Sequence, residues 1–137
     1  MRLVRCGDGT LLLSDCYNAN PQAMAAALQT LRRSGCARKA AVLGDMGELG
    51  AISDQAHYEV GLRCGAEGID TVVAIGPKAK RIADGAKESG CGAVFWFAAK
   101  DEADEALRGL MGADTAILIK ASHAMQFETI VRQLSAL

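Results

Sequence analysis

The sequence predicts an α/β fold: an open sheet of about five parallel strands with helices on both faces, preceded by an antiparallel strand or hairpin. Three observations predict it. Short apolar runs alternate with segments of helical spacing about five times along the chain. Most of those runs lack interleaved polar residues, as strands buried on both faces do. Ahead of them, Gly7-Asp8-Gly9 separates two β-like runs, and Asp-Gly there is a hairpin-turn signal.

Residues 2–6 and 10–14 read as the arms of the hairpin. Asn20 followed by Pro21 reads as a helix N-cap and first helical position. Asn can accept a bond from an unpaired helix N–H, and proline has no N–H to leave unpaired. The helix runs through Met24, Ala27, Leu28 and Leu31 and stops at Ser34-Gly35. Residues 39–43 form the next strand, ending at Gly44-Asp45, and residues 53–64 a helix ended by Gly65 and Gly68. Residues 71–75 are a strand closed by Gly76-Pro77. Residues 78–88 are a helix with its polar face outward, weakened by the low propensity of Gly85. In the strand at 93–97, Phe95, Trp96 and Phe97 are assigned to core and edge packing. Residues 101–111 read as a helix whose first turn carries Asp101 and Glu102, the sign the helix dipole favours. Residues 115–119 are the last strand, 120–123 a turn and 125–134 the closing helix.

The length of 137 residues suits one domain with a real core. Fifteen Lys and Arg against 16 Asp and Glu leave a net charge of -1, interspersed along the chain, which gives no electrostatic footprint for nucleic acid or an anionic membrane. No apolar run approaches the ~18 residues of a membrane span, and no signal-peptide core opens the chain. A cytoplasmic protein is expected. The five cysteines have no C-x-x-C pair and are expected to be reduced thiols. No histidine and cysteine spacing suggests a metal site, no serine or cysteine sits in a nucleophile motif, and neither G-x-x-x-x-G-K-[ST] nor G-x-G-x-x-G occurs.

Polar turn residues collect after the predicted parallel strands, at 15–20, 44–50, 76–78 and 120–123. In an open α/β sheet those ends share the edge where ligands bind. The connections at 34–38 and 112–114, on the opposite edge, look like ordinary turns. Asp15, Tyr17 and Asn18 exceed what a helix cap needs, so 15–21 is either an elaborate cap or a ligand loop. Asp45 and Glu48, on a turn with Gly44, Gly47 and Gly50, could accept an amine, bind a metal or hold a cation, or simply decorate a loose turn. His57 lies in a helix, where a structural role is the commoner one. Lys120 could present an ammonium to a phosphate or carboxylate or be solvated at a strand end, and His123 beside it is the better candidate of the two histidines.

Three stretches carry a resemblance: Asp15-Cys16-Tyr17-Asn18-Ala19-Asn20-Pro21; Gly44-Asp45-Met46-Gly47-Glu48-Leu49-Gly50 with His57 after it; and Lys120-Ala121-Ser122-His123-Ala124-Met125 with Glu128. In order and spacing they resemble the carboxyl-terminal domain of the Mur ligases, over nearly the whole chain. The first two motifs resemble the members that add D-alanyl-D-alanine to UDP-N-acetylmuramoyl-tripeptide. The resemblance implies a Rossmann-like third domain, residues 1–137, of an enzyme whose N-terminal and central ATP-binding domains lie outside these residues. It implies ATP and Mg2+, held mainly by the central domain, which phosphorylate the peptide carboxylate before the amine of the dipeptide attacks. Phosphorylation supplies a good leaving group, and catalysis then rests on positioning and on neutralising charge. By position, Asp15, Tyr17, Asn18 and Asn20 are implied at the nucleotide cleft, and Asp45, Glu48, Lys120, Ser122 and His123 on the dipeptide side, with His57 supporting the loop. No residue is implied to be catalytic in this domain alone. Ala121 and His123 depart from the family's K-G-S-R-x-M turn, replacing a permanent bidentate cation with a titrating ring. A stand-alone receiver-like signalling domain or a non-catalytic nucleotide-binding module are the alternatives. The receiver fits poorly, because Gly76-Pro77 stands where it needs an aspartate and Ala121 where proline usually follows the lysine.

Overall fold

In a computed structural model, which describes residues 1–137, the Asp8-Gly9 turn folds β1 (Arg2–Arg5) antiparallel onto β2 (Leu11–Asp15), with Leu3 opposite Leu13. Asp8 makes the turn, its carboxylate accepting the Thr10 N–H at 3.0 Å, while the Cys6 N–H reaches the Thr10 carbonyl at 2.8 Å. The Asn20 side chain accepts the Ala23 N–H at 2.8 Å and starts α1 (Pro21–Arg32), which buries Met24, Ala27, Leu28 and Leu31. Then follow β3 (Arg38–Gly44), α2 (Ser53–Ala66), β4 (Thr71–Ile75), α3 (Lys80–Glu88), β5 (Ala93–Phe97), α4 (Asp104–Arg108), β6 (Thr115–Lys120) and α5 (Glu128–Ser135).

The six strands lie in the order β1-β2-β6-β3-β4-β5, and every neighbouring pair after the first is parallel. The last strand therefore returns to the centre, between β2 and β3, and all six of its residues are buried. One face packs Leu13, Ala41, Val72 and Leu118 against α1, α2 and α3; the other packs Leu12, Val42, Ile117 and Ile119 against α4 and α5. A receiver domain needs the parallel order 2-1-3-4-5. Here the fifth parallel strand is inserted between the first and second, which removes that alternative.

Local expectations differ from the structure in five places. Lys120 belongs to β6, paired with both Asp15 and Leu43, and not to the following turn. The helix expected at 101–111 is a 3-10 turn (Lys100–Ala103) followed by the short α4, because the Glu102 carboxylate bends back to cap the Ala99 N–H at 3.0 Å. The closing helix starts later, at Glu128, since Gln126 takes a left-handed conformation (φ 54) after the 3-10 turn His123–Met125. Gly65 lies inside α2, and Gly85 is no weakness of α3. A Cβ at Gly85 would collide with the Tyr58 carbonyl and one at Gly61 with the Ile82 carbonyl, so these glycines let α2 and α3 touch backbone to backbone. Phe95 and Trp96 lie partly exposed on the edge strand, where the Trp96 indole N–H donates to the Gly76 carbonyl at 2.8 Å. No helix is long and apolar enough to cross a membrane, and all five cysteines are free.

Candidate functional site at the carboxyl edge of the sheet

The insertion of β6 brings three loops together at the carboxyl edge. The loop after β2 and the loop after β6 are neighbours because Asp15 and Lys120 are register partners, and the loop after β3 adjoins them through Leu43 and Lys120. Lys120 is 1% exposed. Its ammonium donates to Asp15 Oδ2 at 2.8 Å and to the Asn18 carbonyl at 2.7 Å. A solvated strand-end lysine is not what the structure shows: both of the ammonium's partners lie inside the chain. A buried ammonium without such partners would carry a penalty of several kcal/mol, so about that much is at stake in these two contacts.

The outer part of the same loop is open. Tyr17 is 78% exposed, Asn18 is exposed, and the Tyr17 ring lies 5.1 Å from the exposed His123 ring, tilted by 46°. Asn20 is committed to capping α1. Asp15, Tyr17, Asn18, Lys120 and His123 thus form one cluster.

Asp45 and His57 form a second, inner cluster that holds the loop after β3. Asp45 is buried, and its Oδ1 accepts the Ala79 N–H at 2.8 Å just before α3, while its carbonyl accepts the Ser122 N–H at 3.1 Å. Gly76 makes room for that carboxylate, since a Cβ there would strike it. His57 is fully buried. The Met46 N–H donates to Nε2 at 2.9 Å, which places the ring proton on Nδ1, 2.6 Å from the Ser53 carbonyl. His57 thus ties the loop after β3 at Met46 to the first turn of α2 at Ser53. Glu48 stands apart from both clusters, exposed on the loop in a left-handed conformation (φ 60).

Sequence reasoning missed a cleft of about 420 Å³ beside Tyr17, lined by Arg2, Ser14, Cys16, Glu128, Val131 and Arg132. Glu128 Oε1 is buried there without a hydrogen-bond partner. Burial first, and then the Glu128 carboxylate among its neighbours, push the Cys16 thiol above its ordinary value, so it stays protonated at neutral pH. Glu128 already stood in the third motif; the arginines lie far apart in sequence, and no local spacing could have joined them. Three or more His, Cys, Asp or Glu side chains nowhere come close enough to hold a metal ion.

Comparison with known proteins places these loops in context. The family described as "Mur ligase, glutamate ligase domain" matches residues 1–123. The chain is 35% identical over 136 residues to the UDP-N-acetylmuramoyl-tripeptide--D-alanyl-D-alanine ligase of Bacillus subtilis, covering 98% of this chain and 30% of that protein. Among solved structures, a MurF from Acinetobacter baumannii superposes with a TM-score of 0.87 at 30% identity, over 99% of this chain and 30% of that one. A MurF from Thermotoga maritima in complex with ADP superposes with a TM-score of 0.80 at 27% identity, over 98% and 30%. The chain spans about a third of the length of these relatives.

Proposed function

Because the chain belongs to the Mur ligase family, we propose that it is the carboxyl-terminal domain of a cytoplasmic ATP-dependent ligase that joins D-alanyl-D-alanine to UDP-N-acetylmuramoyl-tripeptide through an acyl phosphate. The observation that carries this reading is the 35% identity to the Bacillus subtilis ligase over 98% of the chain. The ADP held by the Thermotoga maritima relative supports a nucleotide as one ligand.

Within this reading the loop after β2, with Asp15, Tyr17 and Asn18, is the nucleotide edge, and His123 stands where it meets the dipeptide side. Asp15 offers Oδ1, which has no donor within the chain, to a hydroxyl of the nucleotide, and Tyr17 and Asn18 present an aromatic face and an amide beside it. Asn20 contributes by fixing the helix start. The loop carrying Asp45 and Glu48, with Ser122 and His123, faces the incoming dipeptide; Glu48 is its freely exposed carboxylate, and His57 holds the loop's backbone. The acyl phosphate chemistry needs the reacting carboxylate and amine brought together and developing charge neutralised. This chain contributes the positioning, by closing its carboxyl edge over a partner domain. It contains no phosphate loop, so the grip on the triphosphate is assigned to the remainder of the relatives' length. No three of its His, Cys, Asp or Glu side chains stand close enough to hold Mg2+ by themselves, so the main hold on the metal is assigned to the remainder of the relatives' length.

The complete gene product should release ADP only when both the nucleotide-linked tripeptide and D-alanyl-D-alanine are present, and the 137-residue chain alone should turn over no ATP. A complete gene product without dipeptide-dependent ADP release would overturn the reading. Ligation by the chain alone would overturn the assignment of the triphosphate grip elsewhere.

A further inference from the structure

Lys120 is among the largest fully buried side chains of the protein, beside Phe127 and the core leucines. At 1% exposure it does not reach the crevice that the loops line, so its ammonium has no direct path to a ligand there. Both of its acceptors nevertheless belong to one loop: Asp15 Oδ2 at 2.8 Å and the Asn18 carbonyl at 2.7 Å. An ammonium is compact and strongly hydrated, and a methionine would fill the same space without the desolvation. What the lysine adds over an apolar residue is a clamp at two points, three residues apart, on the segment that carries Asp15, Tyr17 and Asn18.

The clamp has directional consequences. Holding Asp15 by one carboxylate oxygen leaves the other, Oδ1, with no bond inside the chain. Pinning the Asn18 carbonyl inward fixes the peptide plane that follows it and leaves Tyr17 and the Asn18 side chain outside, both exposed. The register adds rigidity from below, since Lys120 is strand-paired with Asp15 on one side and Leu43 on the other. The family resemblance groups Lys120 with Ser122 and His123 on the dipeptide side; its bonds also tie it to the loop after β2.

We infer that Lys120 is a positioning residue that orients Asp15 and the Tyr17-Asn18 turn for the nucleotide without touching it. This rests on the nucleotide-edge reading of that loop. The test uses the complete gene product with Lys120→Met and Lys120→Gln, the second variant keeping one donor should the first fail to fold. Amide hydrogen exchange should quicken in residues 15–20 while the rest of the sheet keeps its protection. KM for ATP should rise about tenfold, with kcat changed less than about threefold, because displaced ligand contacts weaken binding first. Combining Lys120→Met with Asp15→Asn should raise KM no further than the worse single variant, since both act through one carboxylate. A KM for ATP that stays put while exchange quickens would show a merely structural lysine and overturn the inference. So would fully additive effects of the two substitutions, which would mean a contact of Lys120's own. A wild-type protein without ATP-dependent ligation would instead overturn the ligase reading, and the nucleotide half of this inference with it, while the exchange result would still decide whether the clamp exists.

Discussion

The two edges of the sheet solve the same problem in opposite ways. At the amino edge, polar groups close on nearby backbone: the buried Thr10 hydroxyl donates to the Gly112 carbonyl at 3.0 Å and accepts the Gly112 N–H at 2.8 Å, and Asp70, on the surface, accepts the Lys39 N–H at 2.8 Å. At the carboxyl edge, charge is taken inside: Lys120 is sunk beneath the loops, Asp45 is buried, and His57 has no exposed atom to speak of. Asp15 and Tyr17 keep one side open. Apart from the buried Glu67 carboxylate, paired with Arg32 at 3.4 Å, the amino edge uses its polar groups to finish turns. The carboxyl edge carries more polar chemistry than finishing turns requires, and the surplus is what a ligand-facing edge uses.

The sharpest way to break that comparison is to remove Asp15. Asp15→Ala leaves the Lys120 ammonium buried with the Asn18 carbonyl as its remaining partner, and breaking a buried pair from one side costs about 3 kcal/mol or more. Urea unfolding of the chain should show that loss, and Asp15→Ala combined with Lys120→Met should recover most of it. A loss below about 0.5 kcal/mol would mean that the pair behaves as a surface ion pair and the two edges do not differ in kind. The same asymmetry makes Asp15→Ala a poor probe of nucleotide contact, because it disturbs folding and site together; Asp15→Asn is the cleaner variant.

The fold was legible because its periodic signals are local. The apolar runs at 39–43, 71–75 and 93–97 each became a strand within one residue of their expected ends. The Asn20-Pro21 cap formed as spacing required. Failures came where a tertiary contact overrides a local preference. Gly85 reads as a weak spot until Gly61 is seen against it, and no spacing in either helix announces that pairing. Lys120 reads as a turn residue because strand ends and turn starts look alike; its burial follows from β6 lying at the centre of the sheet, which is a matter of strand order. The clustering of loops on one edge was legible from alternation alone, whereas the division into an outer, open cluster and an inner, bonded one was not. Asp45 shows the difference: an acid on a glycine-rich turn looked free to hold a cation, and its Oδ1 is bonded to the Ala79 N–H.

A middle-sized effect tests the inner cluster. His57→Phe keeps the ring's volume and removes both nitrogens, so the buried Met46 N–H loses its acceptor and the part-buried Ser53 carbonyl its side-chain donor. The expected loss is about 1–3 kcal/mol, the penalty for leaving a buried donor unsatisfied. Equilibrium unfolding measures it. A change within about 0.5 kcal/mol would show that the loop after β3 relaxes to water without its support, and that the carboxyl edge is less firmly built than its burial suggests.

The smallest effect lies at the amino edge, at the hairpin turn. The Thr10 backbone N–H, foremost, and then the Thr10 side chain hold the Asp8 carboxyl below its ordinary value of 3.8. A carboxyl whose folded pKa lies below its unfolded one adds stability above the unfolded value and loses it as pH falls through the folded value. Asp8→Asn keeps an acceptor for the Thr10 N–H and removes only the charge. The variant should therefore be slightly less stable than wild type at pH 7, by less than either carboxyl-edge substitution because Asp8 is solvated. The gap should close as pH drops below about 4. Urea midpoints between pH 7 and pH 3 read it directly. A gap independent of pH would show that the charge is not what the turn uses, and a gap as large as that of His57→Phe would erase the contrast between an edge that finishes turns and one that buries charge.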